Sequence, residues 1–394
     1  MKHFWLNLNE NVKKINKKKV FLVLLMILLI IAILTVALSY IYNRNVREWI
    51  DYKVLNKEIS QNDVNSIELK SESNSSIIAY SRYIGVLSKK QLNVYNSIGN
   101  SETNIDLDIT NPIYESNGRY LAIGENGGQK LYVITEKSII WKTEIEGTIS
   151  QVHVNKNGYV AVVISNTSYK TVIEYFDNKG KTLFKKYLSS TRVVDVSISS
   201  DNKYLAIGEI DTQGTLIQSN IKIISVEAAK TDPNNSNVYT HNASVGKLLV
   251  NLKYQDGNKL YCLYSDSINM VYDKNESKIM DLTNSKITFS SLGLKNAYLT
   301  IEEKSSGEFT ADSVIEVHKI KNSRTIDYII KEVAKEIYTH DNIIAINLGT
   351  EVKFISTNGW LLKSFVSSQE ITNIVVSDNI AGIIYRDRIE IINL

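Results

Sequence analysis

The chain has 394 residues, 45 Lys+Arg against 42 Asp+Glu, a formal net charge of +3 and one cysteine. That length is enough to bury a large core, as one toroidal domain or two ordinary ones, while a single cysteine excludes an intrachain disulfide framework. The basic excess is confined to the first 53 residues, with nine Lys/Arg and three Asp/Glu; the remaining 36 basic and 39 acidic groups form no dense basic run, which argues against nucleic acid as a partner.

Residues 20–38, VFLVLLMILLIIAILTVAL, contain one polar side chain, Thr35. A helix of that length reaches about 28 Å, close to the hydrocarbon thickness of a bilayer. Lys2, Lys13, Lys14, Lys17, Lys18 and Lys19 precede it against Glu10 alone, while Arg44, Arg47 and Lys53 after it are offset by Glu48 and Asp51. Positive residues accumulate on the cytoplasmic side, so the chain reads as a cytoplasmic tail (1–19), a transmembrane helix (20–42), a juxtamembrane linker (43–63) and an extracellular domain. Tyr40, Tyr42 and Trp49 suit an outer aromatic belt. The alternative is a cleaved signal peptide ending near Ala37-Leu38-Ser39, but a signal core usually runs only about 7–15 residues.

Beyond the linker, three segments align: ESNGRYLAIGE from Glu115, NKNGYVAVVIS from Asn155 and SSDNKYLAIGE from Ser199. Each has a polar turn, an aromatic residue and an apolar run, the pattern of a tight hairpin entering a buried strand. DNIIAINLG from Asp341 and SDNIAGIIY from Ser377 repeat that order. A second strand–turn–strand signature recurs from Lys130, Val172, Ile268 and Val352. Together they make a four-stranded unit of about 35–45 residues, the period of a propeller blade.

Eight units are predicted, near 75–109, 111–145, 147–190, 191–244, 245–283, 284–332, 333–368 and 369–394, with seven as the alternative because 245–332 matches weakly. The fold class is therefore all-β, a β-propeller preceded by one transmembrane α-helix. The last unit shows only three strands, whereas VNSIEL at 64–69, in the strand read over 64–70, belongs to no unit. Pairing that strand with the C-terminal blade closes the ring without an open edge between first and last blades.

These repeats resemble the WD-repeat-like and quinoprotein-like propeller superfamily. With the basic tail and single apolar helix, the chain is more closely similar to an uncharacterised clostridial/Firmicutes family of single-pass membrane proteins with a propeller-like ectodomain. The Trp-Asp dipeptide is absent, and only Trp141 and Trp360 fall within the repeats. The resemblance implies an architecture and an address but no reaction.

No motif announces a chemistry. GENGG at 124–128 lacks the Lys-Ser/Thr and following helix of a phosphate loop, so it reads as a hairpin turn. His3, His153, His241, His318 and His340 are scattered singly, without zinc-ligand spacing. Asp106-Leu107-Asp108 is only a fragment of a calcium loop and reads as a solvated strand end. No Gly-x-Ser-x-Gly elbow occurs, and Cys262, in LYCLYS, reads as a small buried hydrophobe. The expectation is no enzyme, no cofactor and no metal.

Loops on rigid scaffolds carry function. Binding candidates are therefore the irregular segments 211–220 and 227–244, with Asp211, Gln213, Asn220, Asn234 and Asn235, and more weakly 305–313. The leading expectation is a protein-interaction or scaffold module facing an envelope protein or cell-wall component. A sensor or binder of a small molecule or cell-wall glycan in the channel is the alternative, and an enzyme built from several blades comes third.

Overall fold

The turn-then-apolar segments fold as antiparallel hairpins, and their turn chemistry shows why. The computed structural model describes residues 17–42, 46–47, 50, 54–55, 64–69, 75–165, 168–283, 286–307, 310–377 and 379–394. Asn155 Oδ1 accepts hydrogen bonds from the backbone N of Asn157 and Tyr159 at 3.0 and 3.1 Å, and Gly158 turns the corner at φ +81°. Asp177 repeats this with Lys179 N and Lys181 N, both at 2.9 Å, around Gly180 at φ +82°. Ser356 does so through its hydroxyl, accepting from Asn358 N at 3.2 Å. In each case a side-chain oxygen replaces a backbone acceptor and a left-handed residue completes the turn.

The second strands of the blades are buried along nearly their whole length, as in Tyr120–Glu125 and Val160–Ser165. Both faces of a blade pack against neighbouring blades, so these strands read as apolar runs rather than as alternating ones. The glycine in each YLAIGE segment marks that packing. A Cβ on Gly208 would stand 2.2 Å from Leu249 Cδ2 and 2.8 Å from Leu252 Cδ2, both on the next blade.

The chain falls into two compact units, Met1–Lys57 and Glu58–Leu394. The larger holds eight four-stranded antiparallel sheets. Blades 1 to 7 span 76–106, 112–144, 148–188, 191–242, 249–281, 287–330 and 336–366. Blade 8 combines three strands within 373–393 with Asn65–Glu68, paired from Asn65↔Ile391 to Glu68↔Arg388. Ile67 is buried there among Ile77, Ile84, Ile389 and Ile391, joining blade 8 to blade 1. The blade count is eight, and the weakly patterned stretch supplies blades 5 and 6.

The first strand of blades 1 to 7, and Asn373–Val376 in blade 8, lies innermost. Polar side chains stitch these strands to their neighbours: Ser116 Oγ donates to Ala79 O at 3.3 Å, Gln151 Nε2 to Val194 O at 3.2 Å and Gln255 Nε2 to Leu294 O at 2.9 Å. Ser377 Oγ donates to Ser81 O across the junction of blades 8 and 1. Because strands alternate in direction, connections between first and second and between third and fourth strands share one face, the turn face. Connections between second and third strands and from blade to blade share the other, the loop face.

The irregular segments need correction in detail. Asn220 lies inside the strand Gln218–Ser225, and Asp211 ends the strand Tyr204–Asp211, so the connection itself is 212–217. Within 227–244, most of the chain is regular: a short helix, Val226–Thr231, capped by Ser225, and a strand, Asn237–Asn242.

In the smaller unit a helix covers Lys17–Tyr42. Its Phe21–Tyr42 stretch has mean hydropathy 3.4, long and apolar enough to cross a membrane. Its apolar side chains are exposed, and Thr35 Oγ1 satisfies itself by donating to Ile31 O at 2.6 Å. The expectations for the tail before Lys17, for Trp49 and for Lys70 fall outside the described residues.

Candidate functional site

The inner strands of blades 3 to 6 share a β-bulge near their starts, with register steps between Ile149 and Gln151, Val193 and Asp195, Leu249 and Asn251, and Ile287 and Phe289. Bulges re-aim side chains beside functional openings, and here four successive ones ring the loop-face end of the channel. Two cavities of 420 and 460 Å³ follow one another along that channel, sharing Glu115, Asn117, Asn155, Ile198, Lys253 and Gly293 in their walls.

Asp195, just past its bulge, holds three blades together. Its Oδ1 accepts from Val196 N at 2.9 Å, and its Oδ2 accepts from Asn251 Nδ2 at 2.7 Å and Leu252 N at 2.9 Å. His153 Nδ1 stands 3.8 Å from Asp195 Oδ1 and 3.3 Å from Glu115 Oε2, and its Nε2 meets Gln151 Oε1 at 3.2 Å. Burial pushes the imidazole pKa down, but the Glu115 hydrogen bond and the two carboxylate charges outweigh it and leave it above the ordinary histidine value. Burial likewise raises Asp195. Lys253 is held below the ordinary lysine value by burial, against the opposing charges of Glu115, Asp341 and Asp195. Its hydrogen bond runs to Gly293 O at 3.3 Å.

The second feature is on the loop face. Leu216, Ile217, Val245, Leu248 and Val250 are all exposed, Leu216 by 63%. They form a neighbourhood because Gly246 N donates to Ile217 O at 3.4 Å and Gln218 Nε2 to Ala243 O at 2.9 Å. Val250 is the residue its bulge extrudes, and it also lines the 420 Å³ cavity. The apolar strip thus runs from the 212–217 loop of blade 4 to the channel rim.

The sequence-nominated loop residues separate. Asp211 and Gln213 sit on the loop face, where Asp211 Oδ1 accepts from Gln213 N at 2.9 Å. Asn234 and Asn235 lie in the third-to-fourth connection, on the turn face, folded onto Asp232 by Asn234 N at 2.9 Å and Asn235 Nδ2 at 2.6 Å. Asn220 pairs with Glu209 and Asn242 inside its sheet. The segment 305–313 contains the connection 306–310, also on the loop face, of which 308–309 lie outside the described residues. Sequence reasoning missed Glu115, Asp195 and Lys253, which converge only through ring closure.

The other candidates resolve locally. Gly124–Gly128 is a hairpin turn with Gly127 at φ +75°. Asp108 pairs with Lys130 at 2.5 Å on the surface. His241 meets Glu276 at 3.1 Å, His318 stacks on Tyr298 at 4.6 Å, and His340 borders the 460 Å³ cavity. Cys262 is fully buried, which raises its thiol pKa well above the ordinary value. Among the described residues, no three His, Cys, Asp or Glu side chains are placed to hold a metal ion.

Eight four-stranded blades around a polar channel make the larger unit a β-propeller. Residues 56–394 match a family of unknown function, DUF5711, and the chain belongs to that family. No curated protein matches it. Among solved structures it is similar to BamB from Moraxella catarrhalis, at 14% identity over 86% of this chain and 97% of that one, TM-score 0.49. It is also similar to Chaetomium thermophilum Sqt1 bound to the N-terminus of the ribosomal protein L10, at 10% identity over 82% and 98%, TM-score 0.49. Apo AztD from Citrobacter koseri is similar at 12% identity over 77% and 88%, TM-score 0.47. Identities this low carry no residue role across.

Proposed function

We propose that this protein is a membrane-anchored, extracytoplasmic propeller that binds another envelope protein through the loop face of blades 4 and 5. The observation that carries the reading is the exposed apolar strip Leu216, Ile217, Val245, Leu248 and Val250. Contiguous exposed apolar side chains on a folded domain mark interaction sites. The address rests on the bare apolar helix and its lysine-rich N-terminal flank, which favour insertion with the tail inside.

Crosslinking and affinity capture from membranes tests this reading, comparing the native chain with Leu216→Asp/Val245→Asp. The expected outcome is a reproducible protein partner whose recovery falls at least about tenfold in the double variant while its melting temperature is unchanged. Undiminished recovery, or no reproducible partner, contradicts it. A second reading, a binder of a small molecule or glycan, is favoured by the 420 and 460 Å³ channel cavities, which lie within the range of ligand pockets.

A further inference from the structure

We propose that the channel binds a free α-amino acid, or an equally small ammonium–carboxylate zwitterion, between Glu115 and Lys253; the proposal rests on the second reading above, of the channel as a ligand site. Glu115 is on the inner strand of blade 2, Pro112–Asn117, and Lys253 on that of blade 5, Leu249–Gln255. Three blades apart in a ring of eight, they approach the channel from well-separated walls. Both border both cavities, so they mark the waist between them.

Each holds unspent bonding capacity. Glu115 Oε2 accepts from Val154 N at 3.0 Å and faces His153, while its Oε1 has no hydrogen-bond partner among the described residues. Lys253 carries three N–H donors and places one on Gly293 O at 3.3 Å. It forms no ion pair among the described residues, although the Glu115, Asp341 and Asp195 charges act on it. Asp195, by contrast, is saturated by Val196, Asn251 and Leu252. The channel therefore offers one open carboxylate oxygen and one under-bonded ammonium in the same two cavity walls, with no ion pair between them.

The ligand class follows from those charges. Over both walls Glu115, Asp195, Asp256 and Asp341 stand against Lys156, Lys253 and Lys295, a near balance of charge in which a simple anion or a simple cation meets repulsion as well as attraction. A zwitterion satisfies both walls at once, its ammonium toward Glu115 Oε1 and its carboxylate toward Lys253. Sugars are commonly held on an exposed aromatic face, and Tyr254, the only tyrosine in these walls, is buried. Neither cavity wall contains Phe or Trp.

Full-length protein in detergent, titrated calorimetrically at pH 7.5, decides the point. The probes are glycine, alanine, glutamate, lysine and phenylalanine, with acetate, ethylammonium and glucose for comparison. At least one amino acid is expected to bind one-to-one, at least tenfold tighter than acetate or ethylammonium, and to lose at least tenfold in affinity in both Glu115→Gln and Lys253→Met. Should either variant not fold, the ranking of probes on the native protein decides alone. Acetate or ethylammonium binding as tightly as every amino acid overturns the proposal, as does amino-acid binding that both folded variants retain. Glucose binding without amino-acid binding overturns the ligand class and leaves the channel reading standing, and silence from every probe overturns the proposal.

Discussion

At the scale of single residues, the repeat is a set of recurring physical solutions. Tyr120–Glu125 and Tyr204–Asp211 begin with the same YLAIGE, and the shared acid does the same work in each blade. Glu125 accepts from Thr110 Oγ1 at 2.8 Å, and buried Glu209 accepts from Thr191 Oγ1, tying the second strand to the start or lead-in of the inner one. Blade 3 makes that link with hydroxyls, Ser165 Oγ and Thr148 Oγ1 at 3.0 Å. The glycine before the acid is constrained by space: in blade 4 the Cβ of an alanine would press on Leu249 and Leu252, which are themselves fully packed. Gly208→Ala is therefore expected to cost about 1–3 kcal/mol by overpacking, read as a lower midpoint in denaturant. An unchanged midpoint would mean that blades 4 and 5 do not pack as described.

At the scale of elements, most boundaries were legible because turn chemistry and strand length repeat together. Asn155, Asp177 and Ser356 each sit ahead of a left-handed glycine, and such pairs punctuate the chain. Blades 5 and 6 were weaker for a local reason. Blade 5 makes its first turn through Asp256–Asn258, with Gly257 and Asn258 both at positive φ, and blade 6 uses Asn296 at φ +52° without a neighbouring glycine. The helix Val226–Thr231 has a fair N-terminal signal in Ser225 followed by Val-Glu-Ala-Ala-Lys, but Pro233 and the asparagines beyond it give the stretch the composition of irregular chain. The channel cluster was illegible for a different reason. Glu115, His153, Asp195 and Lys253 come from four blades, and only ring geometry brings them together.

The closing strand gives an element-scale prediction. Asn65–Glu68 supplies the outer strand of blade 8, and Ile67 inserts between blades 8 and 1. Ile67→Asp in the full chain buries an unpaired carboxylate at that seam, with an expected cost of about 3 kcal/mol. Thermal unfolding should then shift down by about 4 °C. A native melting temperature in that variant would show that the ring does not depend on this strand.

At the scale of the whole molecule, the two units differ in where they expose apolar surface. The helix exposes apolar side chains along its length, a state that water penalises and a bilayer relieves. The propeller buries its apolar runs between blades and exposes five aliphatic side chains together on the loop face of blades 4 and 5, while Ile98, Ile329 and Val366 are exposed singly on other blades. The 64–69 segment joins the ring at the turn face, where Asn65 Nδ2 donates to Ser97 O at 3.4 Å. Within the propeller, the point of chain entry and the proposed docking strip therefore lie on opposite faces.

Cysteine labelling in intact cells tests the central claim, an extracytoplasmic propeller on a membrane anchor, most directly. The native chain is a silent background, because Cys262 is its only cysteine, is fully buried and has its thiol pKa raised. Asn178, exposed in the Asp177 turn of blade 3, is the place for a new thiol. In Asn178→Cys, a membrane-impermeant maleimide should label intact cells as fully as lysed ones, with the labelled chain staying in carbonate-washed membranes. Labelling that appears only after lysis, or a chain released into the soluble fraction, would contradict it.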